Sequence, residues 1–355
     1  MSTTGFHHVT MVSSDAPTTL AFYRDLLGLP LVKKTVNFDD PSAYHLYFGD
    51  RAGSPGTLLT FFEWGKLPRG RWGVGGIHHV ALGVDDAEGQ LRWKRRLTDA
   101  GVPVTGPYDR GYFKSIYFAD PDGQILEIAT AGPGYDVDEP IEALGRKATV
   151  PGAAQLRGDR DEAAIRALTH AEPVPVIDGG MALRGIHHVT GITDDIARAH
   201  EFYETLGLSL VKRSVNQDDQ ATPHWFWASY DGRSVAPRSS MTLFEWKDSP
   251  YAARPGVGQT HHIAFRARDE DAQAALADRV RALGIDVTEV RDRLYFRSVY
   301  FRAPDGLLCE IATDGPGFQV DEPVDRLGES LTLPPWLESE REGIEGRLAP
   351  LTSGA

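Results

Sequence analysis

Two glutamates sit in copies of one short text: Glu127 in ADPDGQILEIAT (119–130) and Glu310 in APDGLLCEIAT (303–313), 183 positions apart (310 − 127). In each copy a Pro-Asp-Gly turn leads into a strand. Alternation then puts Leu307, Cys309 and Ile311 on one apolar face and Leu308, Glu310 and Ala312 on the other. A mid-strand carboxylate among apolar or small side chains costs about 3–5 kcal/mol without a partner, so a partner is expected. Histidine doublets supply candidates: His7-His8, His78-His79, His187-His188 and His261-His262 each open a strand-like run. Alternation puts one imidazole of each doublet on each face. His8 shares parity with Thr10, and His262 with Thr260, Ala264 and Arg266, whereas His7 and His261 go with the apolar residues. The second histidines are therefore the expected ligands. Two imidazoles and one carboxylate on one face hold a transition metal and leave adjacent positions open, the pattern of non-haem iron(II) oxygenases. Core His–Glu pairs without a metal would suit one doublet, but less well four equivalent doublets with two matching glutamates. Glu63 and Glu245, in FFEW and LFEW, share parity with the packing face and are not expected to ligate. Cys309 reads as a small buried hydrophobe.

These groups must be positioned by a unit written four times. FHHVTMV, IHHVALGV, IHHVTGI and THHIAFRA begin modules at about 5–66, 76–131, 185–248 and 259–314, the first resembling the third and the second the fourth. In module one Asp15 is an N-cap, Leu20, Tyr23, Leu26 and Leu27 follow at helical spacing, and Gly28 is the C-cap. Strands in LPLVKKTVN, YHLYFG and GTLLTFFEW complete a βαβββ order. Such modules cannot bury their sheets alone. The expected fold is α+β, four modules paired into two cup-shaped half-barrels, with halves at 1–146 and 185–328. GPGYDVDEP (132–140) and GPGFQVDEP (315–323) read as arms leaving the barrel edge. Residues 147–184 read as a linker with a helix near 159–169, and 329–355 as a tail whose short charged helix lies on the surface. Tyr44, Tyr47, Phe62, Trp225 and Trp227 are candidates for an aromatic pocket, although sheet packing is the commoner use.

A chain of 355 residues favours two domains over one core, and 41% hydrophobic with 25% charged residues is an ordinary folded composition. A net charge of −13 argues against nucleic acid or an anionic membrane as partner. No apolar run spans a bilayer and the first residues lack signal-peptide features, so a cytoplasmic location is expected. One cysteine excludes a disulfide framework and a Cys-based zinc cluster. The partners expected are small molecules, with homo-oligomers open.

FHHVTMV, LVKKTVNFDDPSAYHLYFGDRAGSPGTLLTFF, THHIAFRA and DRLYFRSVYFRAPDGLLCEIATDGPGF resemble the vicinal-oxygen-chelate (glyoxalase/extradiol dioxygenase) superfamily, and within it the hydroquinone-type ring-cleaving dioxygenases. The resemblance covers 5–145 and 185–328. It implies an Fe(II) enzyme, with Mn(II) as alternative, that opens a dihydroxylated aromatic ring with O2. It also implies that module one pairs with module four, so that His8, His262 and Glu310 are the ligands, with His7, Thr10, His261, Arg293 and Tyr300 acting around them. A phenol can pass a proton and a guanidinium can hold an anionic oxygen, which suits Tyr300 and Arg293. The chain departs from that pattern in a second full set, His79, Glu127 and His188, with Arg110 and Tyr117 at the corresponding positions. The first set is expected to carry catalysis, the second to be metal-loaded or vestigial. Thr60 and Thr242 stand where glyoxalase I has a glutamate ligand, which weighs against a lyase or isomerase with Zn or Ni. A third reading is a protein that binds an aromatic or an antibiotic without chemistry.

Overall fold

The computed structural model describes residues 2–351. Module one comprises β1 (Phe6–Ser13), α1 (Ala16–Leu20), β2 (Leu31–Val36), β3 (Tyr44–Phe48) and β4 (Leu58–Glu63). Module two comprises β5 (Ile77–Val84), α2 (Ala87–Asp99), β6 (Thr105–Asp109), β7 (Lys114–Ala119) and β8 (Ile125–Thr130). A short α3 (Glu162–Ala167) precedes module three: β9 (Ile186–Thr193), α4 (Ile196–Thr205), β10 (Ser209–Val215), β11 (Pro223–Ala228) and β12 (Ser240–Glu245). Module four holds β13 (Thr260–Ala267), α5 (Glu270–Ala282), β14 (Arg291–Asp292), β15 (Arg297–Arg302) and β16 (Leu308–Thr313), and α6 (Arg341–Glu345) lies in the tail.

The modules pair across the halves. One eight-stranded sheet runs β14-β15-β16-β13-β1-β4-β3-β2, the other β10-β11-β12-β9-β5-β8-β7-β6. The seams are antiparallel, β1 on β13 and β5 on β9. Each cup thus joins module one to four, or two to three. Apolar parity positions from all four modules, such as Val9, Val80, Val189, Ile263 and Cys309, share one core with helix residues Trp93, Phe202 and Leu276. The opposite faces of the sheets carry the polar residues Thr10, Thr60 and Glu310, also buried. Among the described residues no helix is long and apolar enough to cross a membrane.

The helix of module one changes character partway. Asp15 caps α1 by accepting the Thr18 N–H, but 21–26 continues as a π-helix, closed by a bond from the Leu27 N–H to the Phe22 carbonyl. Gly28, at φ +70°, then ends it. Glu63 accepts the Ala16 N–H and Glu245 the Ile196 N–H, each at 3.0 Å. These glutamates satisfy helix N-termini, a job that accounts for them without a metal.

The arms do not leave the barrel edge. They fold back onto the neighbouring module, where buried Lys33 of β2 meets Asp321 at 2.6 Å and also contacts Glu322. Lys212 of β10 meets Glu139 at 3.0 Å and also contacts Asp138. Single bridges, Lys34 to Leu331 and Ala148 to Arg213, cover the edges of β2 and β10. The linker helix α3 is held by Lys94 of α2, whose ammonium donates to the carbonyls of Ile165, Arg166 and Leu168. Nor does the tail merely rest on the surface: its charged helix also carries Ile344, which is fully buried in the core with Leu337 and Leu348.

Candidate metal centres

Strand pairing slips at every histidine doublet. Phe6 pairs with Phe265 and His8 with Ala264, leaving His7 as an extra residue; Thr10 pairs with His262 and Met11 with Thr260, leaving His261 extra. The seam of β5 and β9 does the same at His78 and His187. A β-bulge brings two successive side chains to one side. Within each doublet the two Nδ1 atoms lie 2.8–2.9 Å apart. Strict alternation, which sends the first histidine to the apolar face, is overturned here because the extra residue breaks the period.

Across each seam the second histidines meet a glutamate. The Nε2 atoms of His8 and His262 are 3.2 Å apart, and Glu310 Oε2 lies 3.4 Å from the first and 2.9 Å from the second. In the other cup His79 and His188 are 3.3 Å apart, with Glu127 Oε2 at 3.0 and 3.3 Å. All six side chains are buried. Burial alone would raise the carboxyls of Glu310 and Glu127, but the adjacent imidazoles outweigh it and hold both well below the usual range. Burial likewise wins over the carboxylate at His262 and His79, whose pKa values are lowered. An ionised carboxylate beside neutral imidazoles is the protonation state that a divalent cation requires. The first histidines complete it. Burial pushes His7, His78, His187 and His261 down to about 3, so each is a neutral ring able to accept a proton at Nδ1. With its proton on Nδ1, the second histidine of a doublet would turn the Nε2 lone pair to the centre, the tautomer that a cation requires. Accordingly Glu310 Oε2 and both oxygens of Glu127 receive no aligned hydrogen bond, although fully buried. Lone pairs that converge without a proton between them fit a cation.

Around the first centre, the Arg293 Nε–H donates to the Tyr300 hydroxyl at 3.2 Å, and Arg293 Nη1 reaches Asp39 at 3.0 Å. Thr10 bonds Thr60 at 2.8 Å, and Thr60 bonds His45 Nε2 at 3.1 Å, whose Nδ1 meets the Tyr47 hydroxyl at 3.0 Å. The Thr60 hydroxyl is thus engaged by Thr10 and His45. His45 and its counterpart His224, 2.9 Å from Thr242, were not among the expected site residues. Repetition could have found them, since YHLYF and PHWFW occupy the same place in modules one and three. Of the expected pocket aromatics, Tyr47 and Phe62 line the first cup. Tyr44 and Trp227 are in the core and Trp225 packs against it.

Residues 5–128 and 185–311 match the Glyoxalase/Bleomycin resistance protein/Dioxygenase superfamily. A Bacillus subtilis protein named "Putative ring-cleaving dioxygenase MhqA" is 33% identical over 99% of this chain and 100% of its own length. The chlorohydroquinone/hydroquinone 1,2-dioxygenase of Sphingobium indicum is 29% identical over 96% of this chain and 94% of its own. The crystal structure of a Bacillus subtilis protein described as a "putative dioxygenase" superposes with a TM-score of 0.77 at 31% identity, covering 99% of this chain and 98% of its own. Maize glyoxalase I, at 15% identity and a TM-score of 0.57 over 87% of this chain and 92% of its own, shares the fold. Each matched span carries two bulged histidine doublets and one buried glutamate, and the chain belongs to the glyoxalase, bleomycin resistance and dioxygenase superfamily, whose dioxygenases imply a divalent cation.

Proposed function

We propose that this chain is a ring-cleaving dioxygenase in which iron(II), or alternatively manganese(II), is held by His8, His262 and Glu310 while O2 opens a dihydroxylated aromatic ring. The observation that carries the reading is the convergence of two imidazole nitrogens and one carboxylate oxygen beside Arg293 and Tyr300, under the aromatic walls Phe38, Tyr47, Phe62 and Phe296. The names of the full-length relatives support it. When bound, the metal would supply a path for electrons from ring to O2 and make the diol more acidic. One ring C–C bond and the O–O bond break while two C–O bonds form. The ring supplies the four electrons, both oxygen atoms stay in the product, and no external reductant is needed.

The chain's own residues have separable tasks. Burial raises the Tyr300 phenol above its ordinary pKa, so it keeps its proton at neutral pH and stands ready to exchange it with a ring oxygen. Arg293 stays charged and, fixed by Asp39, offers that charge to an anionic oxygen. His7 and His261 orient the ligand rings through Nδ1, and Thr10 fixes Thr60 beneath them.

Oxygen-electrode assays on iron(II)-loaded protein test the proposal. Hydroquinone or catechol is expected to draw O2 one to one, and the double variant His79→Ala/His262→Ala to draw none. With hydroquinone, His262→Ala removes most of the uptake and His79→Ala at most a part; equal losses contradict the assignment to the first centre. An aromatic that binds while no divalent metal supports O2 uptake overturns ring opening in favour of sequestration.

A further inference from the structure

We infer that the second cup is a separate centre for the same reaction, built for a bulkier ring than the first, and that Gln217 in place of Phe38 makes the room. The inference rests on the ring-opening reading above. Its cation need is the sharper of the two. Ser298 donates to Oε1 of Glu310, but neither oxygen of fully buried Glu127 receives an aligned hydrogen bond; the Thr190 hydroxyl stands 2.9 Å from His79 Nε2. A buried carboxylate so placed is stable only with a positive partner, and two imidazole nitrogens already aim at the same point.

The reacting groups recur. Arg110 donates to the Tyr117 hydroxyl at 3.0 Å as Arg293 does to Tyr300, and His224 stands on Thr242 as His45 stands on Thr60. The space does not recur. The first cup encloses about 40 Å³. The second encloses about 280 Å³, close to the lower bound of about 300 Å³ for small-molecule pockets.

Two neighbouring positions explain the difference. Phe38 leans into the first cup, with Tyr295 and the tail's Trp336 against its ring at 6.5 and 5.7 Å between centroids. At the matching place Gln217 is drawn to the wall: its amide oxygen accepts from Arg110 at 2.7 Å and its nitrogen donates to the Asp109 carbonyl at 2.8 Å. The adjacent carboxylates also part ways. Asp39 pairs with the site arginine Arg293, whereas Asp218 pairs with Arg160 of the linker at 2.8 Å. Phe38 narrows the approach to the first centre. A substituted ring already fits the second.

Metal counting and anaerobic titration decide the matter without relying on turnover. Protein loaded with iron(II) should carry two ions per chain by elemental analysis, and folded Glu127→Gln and Glu310→Gln one each, with His79→Ala as a second variant of the second cup. Calorimetric titration with tert-butylhydroquinone should find a site that survives Glu310→Gln and disappears in Glu127→Gln. Gln217→Phe should keep both ions and weaken that site at least about tenfold, while Phe38→Gln placed on Glu127→Gln should restore binding at the first cup. A single ion lost only in Glu310→Gln, or bulky-ring binding that follows Glu310 instead of Glu127, overturns the inference. The expected pattern without O2 consumption by any form would uphold a second metal and ring site and overturn ring opening itself.

Discussion

An imidazole whose Nδ1 faces another neutral imidazole, 2.8–2.9 Å away in all four doublets, is oriented without gaining the negative charge that a carboxylate partner would add. An ion held there would keep more of its charge, and proton movement would fall to groups on the rim. Tyr300→Phe is accordingly expected to lower kcat on the order of 10²–10³-fold with metal content unchanged and KM nearly so, measured by steady-state O2 uptake beside elemental analysis. At this scale the sequence exposes repeated chemistry well: type and recurrence mark the second histidines and the two glutamates before any coordinate is seen, and the resemblance groups His8 with His262 and Glu310. It misplaces His7 and His261, because a bulge is a property of two strands and His262, on the strand that pairs with β1, lies 254 residues after His8.

Buried lysines anchor the arms. Lys33 has no exposed surface and its ammonium lies between Asp321 and buried Glu322, so Lys33→Ala leaves the Glu322 carboxylate without its cation. A loss of roughly 3–5 kcal/mol in urea unfolding is expected, with part recovered by adding Glu322→Gln. The turn into β8 holds a second titrating device. Asp120 accepts from the Tyr23 hydroxyl and from the Asp122 and Gln124 N–H groups, yet burial pushes its carboxyl up to about 6. In the unfolded chain it titrates near 4, so between those values the folded state keeps a proton that the unfolded state has lost. Stability is thus greatest below about pH 4 for this group and falls as pH rises through 6, by at most ~3 kcal/mol. Asp120→Asn should flatten that slope, read as the difference in urea midpoints between variant and parent across the window. Helices, strands and caps are legible from alternation and capping residues. The latch is not: VKK, VKR and VDEP recur in both halves, but nothing local says that they meet.

The repeat structure gives away the architecture of the whole molecule, since four half-buried sheets demand partners, and both cups are what the strand order contains. Volume inside each cup was beyond that reasoning, because it depends on where the Phe38 and Gln217 side chains turn. Cations that bind only the folded chain add stability by mass action, about 2.7 kcal/mol for one site at a hundredfold excess over Kd. Chelation should lower Tm, iron(II) or manganese(II) should restore it, and Glu127→Gln/Glu310→Gln should respond to neither, as differential scanning fluorimetry will read.

The pairing of modules is nested: the inner seam joins ligands 109 residues apart, His79 and His188, and the outer seam ligands 254 apart, His8 and His262. During synthesis on the ribosome the inner vessel can close while the final quarter of the polypeptide is still being made. Until then β1 stands as a bare margin, its donors and acceptors waiting for β13. A transcript truncated in its last module would yield a product with one finished vessel and one adhesive flank, prone to zip onto a sister molecule.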